Sequence, residues 1–314
     1  MSLAILCSGQ GRQHPGMFAL TGDAPETSDL FARAASLLGG RDPRELIRAA
    51  DDASLHHNRV GQILCTLQAL AAASVLRNWL PARRVIAGYS VGEVAAWGVA
   101  GLFRPLDTLD LVAKRAEVMD AASPPGDGML FVRGLSGSAM QGLCDSCGVE
   151  IAIINPGDAF ILGGSRVALQ ALAQRARQAG PVRVVDVPVE VASHTTRLAR
   201  ASPAFRIALD QFPARSALPP GTRLLSGIDG APVVEVGNGL DKLAAQISHT
   251  VHWADCLQGC IESGATAVLE LGPGRALADM AAGTYPDIPA RSLEDFRTLA
   301  GVRDWLRKQF GNSG

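Results

Sequence analysis

The chain has 314 residues, enough for one large domain or two smaller ones, with 47% hydrophobic and 19% charged residues, an ordinary globular balance. Its net charge of -1 lacks the positive excess of a nucleic-acid-binding protein, so docking of a charged partner would need a local patch. The six cysteines form no dense disulfide framework, no signal peptide is read at Met1–Cys7, and Ile63 to Leu76, the longest mostly apolar stretch, reads as too short to span a bilayer. Reduced thiols in a cytoplasmic protein, with no nucleic acid and no membrane as partners, is the simplest expectation.

The first segment, Leu3 to Cys7, reads as a buried strand ending at the turn Ser8-Gly9-Gln10-Gly11. Helical patterns follow over Glu26 to Leu38 and Gly61 to Trp79. A strand from Arg84 to Ala87 then enters Gly88-Tyr89-Ser90-Val91-Gly92, and helices are expected over Glu93 to Val99 and Leu106 to Met119. Strand, turn and helix repeated in this way predict a parallel sheet covered by helices. After Ser123-Pro124-Pro125-Gly126, a plausible linker, the rhythm changes to strand (129–132), helix (136–147), strand (149–155), strand (159–163), helix (166–179) and strand (182–187). That β-α-β-β-α-β order is the ferredoxin-like split unit. The expected fold is therefore an α/β-hydrolase-like large domain, residues 1–124 and 191–314, with a ferredoxin-like small domain inserted at 125–190. Ala267 to Leu271 reads as the last strand, ending in Gly272-Pro273-Gly274.

Gly88-Tyr89-Ser90-Val91-Gly92 matches G-x-S-x-G. A serine on a sharp strand-to-helix turn holds a strained backbone angle, and glycines two residues to either side avoid steric clash. The helix that follows offers free N–H groups to developing negative charge. Such a serine needs a base. Six histidines are available, at 14, 56, 57, 194, 249 and 252, and spacing does not choose among them; His194 has a modest advantage because it follows a strand in the small-residue turn Ala192-Ser193-His194-Thr195. Cys144 and Cys147 have redox-motif spacing but fall inside a predicted helix with no second ligand pair nearby, so they read as structural, and no metal site is expected. Gly9-Gln10-Gly11 is not a dinucleotide fingerprint, because His14 stands in the third glycine's place.

Several separate segments occur in the order of one family: Ser8-Gly9-Gln10-Gly11-Arg12-Gln13, Gly88 to Glu93, Val191-Ala192-Ser193-His194, Gln246 to Trp253 and Leu271-Gly272-Pro273-Gly274. Over almost its whole length the chain resembles the malonyl-CoA:acyl carrier protein transacylases. Within that family it looks most like the malonyltransferase (epsilon) subunit of bacterial malonate decarboxylase, on Tyr89 in the elbow and the run Gly11 to Phe18.

The resemblance implies a role for each residue. Ser90 would attack the thioester of malonyl-CoA and His194 would move the proton. Backbone N–H groups of Gln10 and Val91 would hold the oxyanion, and a carbonyl near Gln246, rather than an acid, would orient His194. Arg115 would grip the malonyl carboxylate, with Gln10 and Tyr89 also facing the substrate. The implied partners are a coenzyme A thioester and an acyl carrier protein bearing a phosphopantetheine-type prosthetic group, with no cofactor bound to the chain itself. Tyr89 stands where the family usually has histidine, and His249-Thr250 where it has Asn-Pro. Methylmalonyl also stays open as an acyl group.

Overall fold

The computed structural model describes residues 1–49 and 51–311. In chain order the elements are β1 (Ser2–Cys7), α1 (Ser28–Leu37), α2 (Pro43–Ala49), α3 (Asp52–His56), α4 (Asn58–Leu76), β2 (Arg84–Gly88), α5 (Gly92–Val99) and α6 (Pro105–Ala122). Next come β3 (Asp127–Arg133), α7 (Gly137–Cys147), β4 (Glu150–Asn155), β5 (Ala159–Ser165), α8 (Arg166–Ala179) and β6 (Arg183–Val187). The remainder comprises α9 (Ala201–Leu209), β7 (Thr222–Leu224), α10 (Val236–Ala245), β8 (Val251–His252), α11 (Trp253–Glu262), β9 (Ala265–Glu270), α12 (Ala276–Thr284), β10 (Ala290–Ser292) and α13 (Leu299–Phe310).

Two five-stranded sheets result. The first runs β10-β9-β1-β2-β7, and all its pairings are parallel. Every residue of β1 is buried, as expected of a central parallel strand covered on both faces. Expecting Ala267 to Leu271 as the last strand needs correction: β10 adds an edge beyond it, and three residues are too few for periodicity to reveal. The second sheet runs β6-β3-β5-β4-β8. Its first four strands are mutually antiparallel and come from the β-α-β-β-α-β segment, while β8, from much later in the chain, joins β4 in parallel. Hydrogen bonds from Thr250 Oγ1 to the Ile151 carbonyl and from Thr196 N and Oγ1 to the Glu150 carboxylate reinforce that seam, together with the Arg197–Asp127 ion pair.

Helix α4 begins three residues before the expected helix and ends three before it. At 19 residues it is long and apolar enough to cross a membrane, contrary to the expectation drawn from Ile63 to Leu76. Burial explains its composition instead: 72% of its most apolar stretch lies inside the protein, against α1, α5 and α6. The six cysteines are all free thiols, and Cys144 is buried in α7.

Candidate active site

Parallel strands bring their carboxyl ends to one edge of the sheet, where α/β folds place their ligands. Here the loop after β1 carries Ser8 to Gln13, the turn after β2 carries Tyr89 and Ser90, and β9 ends at Glu270. Register aligns Cys7 with Gly88 and Leu6 with Glu270, so the three turns start at one level. A cleft of about 490 Å³ opens there, with Gln10, Tyr89, Ser90 and His194 on its walls and the second sheet's Phe131 and Ile161 opposite.

The turn at Ser90 is built by its neighbours. Ser90 sits at φ 57°, in the left-handed region. A Cβ on Gly92 would collide with the Cys7 carbonyl oxygen, and one on Gly88 with the Gly92 backbone. Only glycines allow the strand to double back into α5 so tightly. His194 is also left-handed, at φ 63°, and its backbone N–H donates to the Ile247 carbonyl at 2.8 Å.

The two side chains meet, with Ser90 Oγ 2.7 Å from His194 Nε2. His194 Nδ1 lies 2.6 Å from the Gln246 carbonyl oxygen. A carbonyl only accepts, so Nδ1 carries the ring proton and Nε2 is left to accept from the serine hydroxyl. Burial, together with the charge of Arg115, lowers His194 to about 3, and the ring is neutral at physiological pH. Among the described residues, the backbone N–H groups of Gln10 and Val91 find no acceptor. The Gln10 side chain turns away and donates to the Asn58 carbonyl at 3.3 Å.

Arg115 is 1% exposed and lies behind the cleft rather than among its lining residues. Its Nη1 donates to Gln62 Oε1 at 2.8 Å and its Nη2 to Gln246 Oε1 at 3.2 Å, while its Nε finds no partner. Burial lowers Arg115 to about 10, with Glu93 opposing that fall, and it stays cationic. Gln246 Nε2 donates to Glu93 Oε2 at 2.6 Å and to the Ser90 carbonyl at 3.1 Å. One residue thus touches the serine's backbone, the histidine's ring and the arginine. Tyr89 packs edge-on against Trp253, ring centroids 5.3 Å apart, and burial holds its phenol well above the usual range.

Of the residues that the family resemblance named, Gln10, Tyr89, Ser90, Val91, His194 and Gln246 lie about this edge, whereas Arg115 lies behind the cleft and the Gln10 side chain is bonded to Asn58. The sequence reading missed Gln62, Glu93, Glu270 and Asn155. Glu93 carried a visible signal: it is the one charged residue of α5, whose residues 92–98 are otherwise small or apolar and wholly buried. Glu270 is fully buried at the end of β9, accepts from Ser8 Oγ at 2.7 Å and from the Ala278 N–H at 2.8 Å, and is raised by burial to about 7. Asn155 is buried in the cleft wall, its side chain beside the Tyr89 phenol, where a hydrogen bond opposes the effect of burial on that phenol.

A parallel α/β sheet with a hydroxyl–imidazole pair at a strand-to-helix elbow defines a class of proteins equipped for acyl chemistry on a serine oxygen. Residues 5–288 match the acyl transferase domain family, and the chain belongs to that family. It is 30% identical over 305 residues to the malonyl CoA-acyl carrier protein transacylase of Mycobacterium tuberculosis, covering 93% of this chain and 96% of that protein. It is 27% identical to the enzyme of the same name from Haemophilus influenzae, over 96% of this chain and 98% of that one. Among solved structures, the acyl-carrier-protein S-malonyltransferase of Burkholderia pseudomallei superposes with a TM-score of 0.87 at 26% identity, covering 98% of this chain and all of that one.

Proposed function

We propose that this protein is an acyl-carrier-protein S-malonyltransferase, which moves malonyl from coenzyme A to a carrier-protein thiol through an ester on Ser90. The observation that carries the reading is the Ser90–His194 contact at 2.7 Å, with the ring fixed from behind by the Gln246 carbonyl. Ser90 Oγ attacks the thioester carbonyl as its proton passes to His194 Nε2. The oxyanion sits between the Gln10 and Val91 N–H groups, at the positive end of α5. Collapse expels the coenzyme A thiolate, which takes the proton from His194. A phosphopantetheine-type thiol on the carrier protein then gives its proton to His194 and attacks the ester; the Ser90 Oγ–acyl bond breaks, Ser90 Oγ takes that proton from His194, and the carrier leaves with the malonyl group.

Arg115 supplies acyl selectivity in this reading, its cation being the match for the malonyl carboxylate. Because it lies behind the cleft wall, the acyl group must reach inward past Ser90. The cleft is bounded by two units, a catalytic portion at 1–124 and 191–314 and a small ferredoxin-like portion at 125–190.

The finer assignment is to malonate decarboxylase, where the reaction would charge that enzyme's carrier subunit. It rests on Tyr89 in the elbow and the run Gly11 to Phe18. A second reading, the same transfer serving fatty-acid or polyketide synthesis, is favoured by a relative named as a polyketide biosynthesis protein, 30% identical over 95% of this chain and 26% of that longer protein.

Intact-protein mass spectrometry after brief incubation with malonyl-CoA tests the central step. One malonyl added to the native chain and none to Ser90→Ala supports it; no adduct after a rapid quench defeats it. Transfer rates to the two kinds of carrier protein then separate the two readings.

A further inference from the structure

Arg115 is held by neutral oxygens, and each of those oxygens is backed by an acid. On one side Glu93 Oε2 accepts from Gln246 Nε2 at 2.6 Å, and Gln246 Oε1 accepts from Arg115 Nη2. On the other, Asp120 Oδ1 accepts from Asn58 Nδ2 at 2.7 Å, Asn58 Oδ1 accepts from Gln62 Nε2 at 2.7 Å, and Gln62 Oε1 accepts from Arg115 Nη1. An amide can turn over and exchange its oxygen for its nitrogen. An ionised carboxylate at the far end forbids the exchange, because it only accepts; burial raises Glu93 to about 7, so its hold is complete above that pH. Each acid therefore helps to fix the amides in front of it with the oxygen facing the guanidinium, at Gln246 together with the Ser90 carbonyl, which accepts from the same Nε2 at 3.1 Å.

We propose that Glu93 and Asp120 are positioning residues for Arg115, setting the enzyme's preference for an anionic acyl group by aiming two amide relays at the guanidinium without neutralising it. The inference rests on the malonyl-transfer reading and deepens it. A carboxylate in direct contact with Arg115 would hold it as firmly, but would also occupy the charge that the substrate needs. Amide oxygens give fixed geometry and leave the cation for the ligand. The buried Nε, without a partner in the free protein, is one donor still open to an incoming carboxylate. Glu93 is the closer anchor, since it is buried and acts through one amide; Asp120 is exposed and acts through two.

Two measurements test the relays. The first needs no turnover: with 15N-arginine labelling, the Arg115 Nη protons, assigned with Arg115→Lys, should be resolved in the free enzyme because both Nη groups are held. Glu93→Gln, nearly isosteric but able to donate, should collapse them towards a rotationally averaged signal, and Asp120→Asn should broaden the Nη1 side alone. The second compares the rates of Ser90 acylation by malonyl-CoA and acetyl-CoA. Glu93→Gln should lower the malonyl preference at least tenfold, mostly through KM for malonyl-CoA, and Asp120→Asn about threefold, with acetyl rates falling less than malonyl rates in each. Resolved Nη protons in Glu93→Gln, or equal losses for the two acyl groups, overturn the proposal. A native enzyme that forms no malonyl ester would overturn the malonyltransferase reading instead, and the NMR result would still decide the relays.

Discussion

Ser90 and His194 meet at 2.7 Å while both hold left-handed backbone angles, φ 57° and 63°. A residue with a Cβ disfavours that region by roughly 1–2 kcal/mol, so the contact is made by two turns that each store strain. Removing the hydroxyl should remove the acyl-enzyme and slow transfer at least about 10³-fold. The same position gives a second outcome. Ser90→Gly should be more stable than Ser90→Ala by about 1 kcal/mol in denaturant unfolding, since glycine alone relieves the angle. Equal stability of the two would show that the turn is unstrained.

Arg115→Ala should impair both recognition and the fold. Malonyl acylation should fall at least about thirtyfold, corresponding to roughly 2 kcal/mol or more for a lost buried charge contact. Acetyl acylation should change much less. Urea denaturation should show a loss of about 2–4 kcal/mol, because the buried amide oxygens of Gln62 and Gln246 would each lose their donor. A variant of native stability and native selectivity would remove Arg115 from the site.

The imidazole should not titrate in the usual place. With His194 lowered to about 3 by burial and by Arg115, its NMR signals should hold their neutral-ring positions from pH 5 to pH 8. An inflection near pH 6.5 would contradict the buried environment. A malonyl ester on Ser90 should raise the ring's basicity, because its carboxylate offsets the Arg115 charge.

Glu270 predicts a slope in stability with pH. Its folded value of about 7 lies above the 4.5 of an unstructured glutamate. Between those values the folded protein holds a proton that the unfolded chain releases, so stability falls as pH rises through that window and stays lower above it. Glu270→Gln cannot ionise, so relative to native it should gain stability between pH 4.5 and pH 8, on the order of 3 kcal/mol. Thermal unfolding of both proteins at the two pH values checks the sign. A difference independent of pH would mean that Glu270 is ionised throughout.

What was legible in the sequence had a local cause. The elbow was readable because five consecutive residues carry the whole steric requirement. Helix α8 falls where the sequence placed it, because Ser165 caps its start and the apolar spacing runs through to Ala176. Not anticipated were α2, α3, β7, β8 and β10, each too brief for periodicity, and also α9, α10, α11 and α12, of nine or ten residues each, in the stretch after residue 191. The site followed the same division. Ser90 announced itself, whereas the choice of His194 among six histidines needed the family resemblance, because the contact spans 104 residues. Gln62 and Gln246 look like any other amides until Arg115 is placed between them.

The pairing of β8 with β4 governs how this molecule can be recombined with its relatives. A graft that exchanged only residues 125–190 would leave the edge of β4 facing a foreign partner at Val251 and His252, and would part Glu150 from Thr196 and Asp127 from Arg197. The natural unit of exchange is therefore discontinuous: 125–198 together with 246–252. Those stretches carry His194 and Gln246, so a new cleft wall must arrive with its own base and the carbonyl that orients it.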